Sequence, residues 1–413
     1  MNRFAIIATA FLLGAVSCGK VESNTPQEEE AIDNPYMGIE LSTKAEAFIR
    51  QGNTFAFRFL SQVDAASEGD YVVSPLSMQF LLGMILNGAQ GTTADEICQV
   101  LGYEDGEVEA MNDFALSILK QLPLLDKSTM LNIANAVIVN QNHPILDSYK
   151  TKVRKNYEAE VSNRDFQDGA TLRDINQWAS DNTNGLIPHV LDELDPSAVA
   201  YLMNALYFKG QWTVFFSKEQ TSTEPFINGE GKRIDVPMMK REGKDIGYLE
   251  NDCYRAVNLP YGNGAFSMTI LLPSEGHSLQ DVITTLADDS RNGSIQSMTS
   301  SGRTVNLWLP RFEITTHLTM NRILSNMGMP LAFSTMANFE AMSEEALSLS
   351  AVLQDAVIKV DEEGTEAAAV STAVMVTSYV PPVDFHADRP FLYLISESST
   401  GAILFAGKFT GNE

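Results

Sequence analysis

A mixed α+β fold with antiparallel sheets is predicted by three observations. Helical patterns lead along the folded region, strand patterns trail, and no repeating strand–helix–strand unit links them. At 413 residues, 44% hydrophobic and 20% charged, the chain has material for a large core, which excludes a disordered or fibrous protein. Its formal charge of −25 opposes nucleic acid and anionic membrane surfaces, so a protein partner or none is expected.

The N-terminus is set aside before the fold is read. Arg3 starts a short apolar stretch, Phe4 to Val16, and the small residues Ala15-Val16-Ser17 precede Cys18. This resembles a bacterial lipoprotein signal, with Ala15 where such signals usually carry leucine. Cleavage after residue 17 would leave Cys18 lipidated; an ordinary secretory signal is the alternative. Either route exports the protein, as a membrane-anchored lipoprotein of a cell envelope, periplasmic or at the cell surface, if Cys18 is lipidated. Residues 18–42 form an acidic stretch too poor in apolar side chains to fold alone, and read as a flexible tether.

One domain over residues 43–413 follows, with no linker-like break. Thr43 and Glu46 have capping-box spacing and open a helix whose Phe48, Phe55, Phe59 and Val63 fall on one face. Ser74-Pro75 offers a serine cap and a proline at the first helical position, and the apolar run behind it predicts a buried helix ended by Asn87-Gly88. A second capping pair, Thr93 with Glu96, starts a short helix to Leu101. Residues 130–139 read as a strand, 146–161 and 171–183 as helices. Strands near 199–208, 253–260 and 265–272 are punctuated by the turn sequence LPYGNG. A helix at 317–327 and strands at 350–360, 383–396 and 401–409 complete the chain.

Chemistry of enzymatic type is absent from this pattern. His143, His189, His277, His317 and His386 are scattered, without a pair at helical metal spacing. No G-x-S-x-G elbow or phosphate loop occurs, so neither an enzyme nor a bound cofactor or metal is expected. Cys98 and Cys253 stand alone, which favours two buried thiols over one bridge.

The segment 361–377, DEEGTEAAAVSTAVMVT, is different. Thr365, Ala367, Ala369, Ser371, Ala373 and Met375 form one alternating row of mostly small side chains, while Val370, Thr372, Val374 and Val376 opposite them are β-branched. Gly364 supplies a pivot, and Pro381-Pro382 blocks a helix. The segment is suited to a strand that enters a sheet.

Seven motifs then carry a resemblance to one family. They are Val73-Ser74-Pro75-Leu76-Ser77, Ile175-Asn176-Gln177-Trp178, the run Leu202 to Trp212, Leu259-Pro260-Tyr261, Leu309-Pro310-Arg311-Phe312, Glu362 to Ala369, and Phe385 to Phe391. In this order, over residues 43–410, the chain resembles the serpins, the serine protease inhibitor family. The resemblance implies three β-sheets with about eight or nine helices and an exposed reactive-centre loop at about 362–383. It implies a suicide inhibitor: a protease cleaves the loop, and the loop enters the central sheet carrying the acylated protease with it. About a dozen new backbone hydrogen bonds at about 1 kcal/mol each would release more than about 10 kcal/mol.

The resemblance also assigns residues. The hinge comprises Glu362, Gly364, Thr365, Ala367, Ala368 and Ala369. Family loop length places the cleaved bond at Ser378-Tyr379, with Met375, Val376 and Thr377 as alternatives. Ser74, Ser77 and Asn204 belong to the shutter beneath the opening sheet, with Gln354 where many serpins place a histidine. The implied partners are target proteases in covalent acyl complexes, with the inhibitor itself a monomer and a lipid anchor its sole link to a membrane. A non-inhibitory serpin acting as a binding module is the alternative, and a lipoprotein hydrolase a weaker one.

Overall fold

In a computed structural model, residues 33–412 are described except 105, 289–294, 296–297, 299–301 and 364–380. The expected targeting segment with Cys18, most of the tether, hinge residues Gly364, Thr365, Ala367, Ala368 and Ala369, and Met375 to Tyr379 lie outside the described residues. From Asn34 onward the chain forms one compact unit.

In chain order the first half runs α1 (Thr43–Ala66), β1 (Tyr71–Val73), α2 (Pro75–Leu86), α3 (Gly91–Leu101), α4 (Val108–Gln121), β2 (Met130–Asn140), α5 (Asp147–Tyr157), β3 (Glu160–Arg164), α6 (Gly169–Asn182) and β4 (Ala200–Lys209). The second half adds β5 (Ser222–Ile227), β6 (Arg233–Gly243), β7 (Gly247–Glu250), β8 (Tyr254–Tyr261), β9 (Phe266–Pro273), α7 (Leu279–Ala287), β10 (Val305–Pro310) and β11 (Phe312–Thr319). It closes with α8 (Asn321–Met327), β12 (Ala351–Val360), β13 (Val383–His386), β14 (Phe391–Glu397) and β15 (Ile403–Phe409).

Three sheets result. One orders its strands β11-β12-β4-β2-β3, a second β1-β15-β14-β9-β8-β7, and a third β13-β10-β6-β5. The helix α2 is buried along all twelve residues because it lies in the core between sheet and helices, which its unbroken apolar sequence anticipates. Phe48, Phe55, Phe59 and Val63 of α1 fall on the buried face, as the spacing predicts. Cys98 and Cys253 are buried thiols.

Several local expectations are corrected. The cap of α1 is Ser42, whose hydroxyl accepts from Ala45 N at 3.2 Å, one residue before the expected box. Thr93 and Glu96 do not cap α3; the Thr93 hydroxyl accepts from Asn338 N at 2.9 Å and the Glu96 carboxylate from Leu331 N at 3.0 Å, tying α3 to the 330–340 segment. The helix expected to 161 stops at Tyr157, because Glu158 turns left-handed at φ 51 and β3 begins. His317 to Thr319, expected as helix, belong to β11, which is held by eight register pairs to β12. The strand expected over 383–396 divides into β13 and β14 at Arg389-Pro390.

The boundary of the body also moves. Residues 34–42, expected as the end of the tether, are fastened to it: Asn34 Nδ2 donates to Asp126 Oδ1 at 2.7 Å, Asn263 Nδ2 to Pro35 O at 3.2 Å, and Ile39 N to Ser399 Oγ at 2.9 Å. Asp126 also accepts from Ser128 and Thr129, and these hydrogen bonds hold its carboxyl below the usual range even though burial opposes them. Gly262 makes room for that carboxylate at φ +45, where an added Cβ would lie 2.0 Å from Asp126 Oδ2.

Candidate functional site

The site is built around one pair of strands. β12 and β4 are adjacent and parallel, paired from Ala351↔Tyr201 to Ile358↔Phe208. Beyond Val360 the chain leaves β12 through Glu362 and Glu363, and returns at β13 in another sheet. A segment folding back from the end of β12 would run antiparallel to β12, and therefore antiparallel to β4 as well. A parallel pair is thus a slot that can accept such a strand with a hydrogen-bonded ladder on each side.

The middle of the slot is tied by a row of buried amides. Gln354, Asn204 and Asn135 are cross-strand partners on β12, β4 and β2. Gln354 Nε2 donates to Asn204 Oδ1 at 3.2 Å, and Asn204 Nδ2 donates to Asn135 Oδ1 at 2.9 Å. Gln354 also clasps the start of α2: its Oε1 accepts from Ser74 N and its Nε2 donates to Ser74 O, both at 3.0 Å. All three side chains are buried, so each bond is made where water cannot replace it.

The serines are held differently from a simple hydroxyl latch. Ser74 Oγ donates to Leu404 O at 2.6 Å and accepts from Ser77 N at 3.2 Å, while Ser77 Oγ is buried with no partner among the described residues. The glutamine therefore grips the backbone of Ser74 and not the two hydroxyls. Asn135, Tyr157, Asn112 and Asn87 extend the row, and sequence reasoning missed them. Asn135 Nδ2 donates to Tyr157 O at 3.1 Å, Tyr157 OH to Asn112 Oδ1 at 2.7 Å, and Asn112 and Asn87 exchange amide bonds at 2.7 and 2.9 Å. Burial pushes the Tyr157 phenol well above its ordinary range, so it stays a donor. The signal available was polar Asn135 amid a strand of Ile, Ala and Val.

The upper end is closed by Glu362, which is 3% exposed. Its Oε1 accepts from Thr221 Oγ1 at 2.8 Å and lies 3.6 Å from Arg311 Nη1, and its backbone carbonyl accepts from Phe216 N at 3.0 Å. Trp212 Nε1 donates to Asp361 O at 2.8 Å and its ring stacks on Tyr261 at 4.3 Å. Lys218 pairs with Glu363 at the surface. Lys218, Arg311, Asp361, Glu362 and Glu363 border a cleft of about 410 Å³ between the ends of β11 and β12. Among the described residues no group of three or more His, Cys, Asp or Glu is placed to hold a metal, and no helix is long and apolar enough to cross a membrane.

Comparisons with known proteins agree on what this architecture is. The family model for serpin (serine protease inhibitor) matches residues 50–411. Iripin-8 of Ixodes ricinus is 32% identical over 388 residues, covering 89% of this chain and 94% of that protein. Among solved structures, the thermophilic serpin tengpin in its native state superposes with a TM-score of 0.80 at 28% identity, over 91% of this chain and 96% of that one. Human thyroxine-binding globulin complexed with thyroxine gives 0.79 at 26% identity, over 89% and 98%. The chain belongs to the serpin family, with the serpin fold of three sheets and eight helices among the described residues.

Proposed function

We propose that this serpin is a suicide inhibitor of serine proteases, cleaved near Ser378-Tyr379 and completed by entry of residues from Gly364 onward between β12 and β4. The observation that carries the reading is the closed parallel pair β12–β4, with the loop starting at the end of β12. The small row at Thr365, Ala367, Ala369 and Ala373 suits passage under tight cover, since a buried unpaired charge there would cost several kcal/mol. Met375, Val376, Thr377, Ser378 and Tyr379 include no cation, which disfavours trypsin-like targets and favours elastase-, subtilisin- or chymotrypsin-like ones, with papain-like cysteine proteases a further class.

The protein acts as a monomer that forms a covalent acyl complex with its target, without a cofactor. It is exported and anchored through lipidated Cys18, and Cys18→Ala is expected to release it from the membrane fraction. Incubation with an elastase-like and a subtilisin-like protease tests the function on a denaturing gel. A covalent adduct is expected; loop cleavage with no adduct and no rise in thermal stability refutes it.

A second reading is supported by the thyroxine-binding globulin comparison, because that serpin is complexed with thyroxine. Under it the chain would be a non-inhibitory binding module, and the same gel would show only cleaved chain.

A further inference from the structure

The outer face of the same strand carries a group that the slot does not require. Asp355 follows Gln354 on β12, so its side chain points to the opposite face, and it is fully buried there. Its neighbours on that face are Leu353 and Val357, which pack with Tyr201, Met203 and Tyr207 of β4 and with Ile187 and Val190 of the connection between α6 and β4. This apolar layer covers β12 and β4 together. A carboxylate in such a layer is costly unless it is paired or protonated.

Its pairing is incomplete. His317 Nδ1 on β11 meets Asp355 Oδ1, the two residues being register partners, while Asp355 Oδ2 has no partner among the described residues. With one proton beyond neutral imidazole and carboxylate, the pair carries no net charge. Without that proton it leaves a charge of −1 inside the layer. The surrounding groups reinforce the difference. Asp192 on the α6–β4 connection acts on His317 as a second negative charge, β4 places Ala205 opposite Asp355 with Tyr207 two residues on, and α6 adds Ile175, Trp178 and Ala179. Glu313 and Lys359 form the register pair further along the same face.

We propose that His317 and Asp355 form a proton-operated brake on the separation of β12 from β4. This rests on the inhibitory reading above. Parting the strands breaks the layer that spans them and admits water to Asp355, so the closed sheet holds the proton more tightly than the open one. The directions agree: the hydrogen bond to Asp355 raises His317 above the ordinary histidine range, and burial raises Asp355 above the ordinary carboxylate range. Opening hydrates Asp355 and leaves its bond to His317 across β11–β12 in place, so what opening relaxes is the burial that raises the carboxyl; closure is therefore favoured at low pH and loses that support as the pair gives up its proton. The brake tightens in acid and slackens in base.

Uptake of a synthetic peptide copying residues 364–377 measures this without any protease. The peptide is acetylated at its N-terminus, because a free terminal amine would titrate at about pH 8, and its one ionisable side chain, Glu366, does not titrate between about pH 5.5 and 8.5. Wild-type protein is expected to take up peptide about threefold faster at the upper end, a tenfold effect per pKa unit being reduced because the His317 side chain is 46% exposed. Asp355→Asn keeps an uncharged group in the layer at every pH and is expected to be slow and pH-independent. His317→Gln, a milder change at a half-exposed site, is expected to flatten the profile even if Asp355→Asn does not fold. A flat wild-type profile, or a slope that survives in either folded variant, overturns the brake. No uptake by wild type at any pH overturns the proposed function itself, and the brake with it.

Discussion

Replacing Gln354 by alanine removes three hydrogen bonds from the middle of the slot. Two go to the backbone N–H and C=O of Ser74 and one to Asn204, all in buried surroundings. A buried group left unpaired costs about 1–3 kcal/mol, and the Ser74 N–H and the Asn204 carbonyl lose named partners. Some relaxation and water entry offset this, so about 3 kcal/mol of native stability is expected to go. For a domain above 200 residues that corresponds to a fall in Tm on the order of 5 °C. Differential scanning fluorimetry of the uncleaved protein reads it directly. Gln354→His gives the control: a neutral imidazole offers one donor and one acceptor where glutamine here uses two donor bonds and one acceptor, so about 1 kcal/mol is lost. An unchanged Tm for Gln354→Ala would show that the amide row does not hold the sheet shut.

Other changes test other parts. Glu362→Ala leaves the Thr221 hydroxyl without its acceptor and Arg311 without its partner, and a loss of about 2 kcal/mol is expected in chemical denaturation. Glu362→Gln keeps the Thr221 bond and is expected to cost under about 1 kcal/mol, because Arg311 is half exposed and its ion pair is screened. Gly262→Ala places a methyl against the Asp126 carboxylate at positive φ and is expected to cost about 2 kcal/mol or more, measured as a lowered denaturation midpoint. Thr365→Arg is expected to convert the inhibitor into a cleaved substrate, seen as lost adduct on a gel; full stoichiometric inhibition by that variant would contradict strand entry.

What the sequence reveals follows the kind of force involved. Burial of α2 was legible because twelve residues carry almost no polar face, and the strands β4, β8 and β9 because their apolar runs end in marked turns. β11 was misread at His317 to Thr319 because its partner β12 lies more than thirty residues later, and pairing at that range overrides local propensity. Thr93 and Glu96 look like caps locally, yet they bind a segment more than 230 residues away. Hydrogen bonds link Ser74 to Ser77 and Gln354, and Gln354 to Asn204, but the part played by Asn135 and the clasp on the Ser74 backbone depend on cross-strand register, which no local pattern encodes. The same holds for Asp355 and His317, ordinary residues until register makes them neighbours.

The central claim is that the five-stranded sheet lacks a strand that the chain itself supplies. Thermal unfolding before and after a single cut between Met375 and Tyr379 tests it most directly. Insertion worth more than about 10 kcal/mol predicts that Tm rises by about 15 °C or more in the cut protein. An unchanged or lower Tm would contradict the claim, because a cut loop that stays outside the sheet adds nothing to its stability.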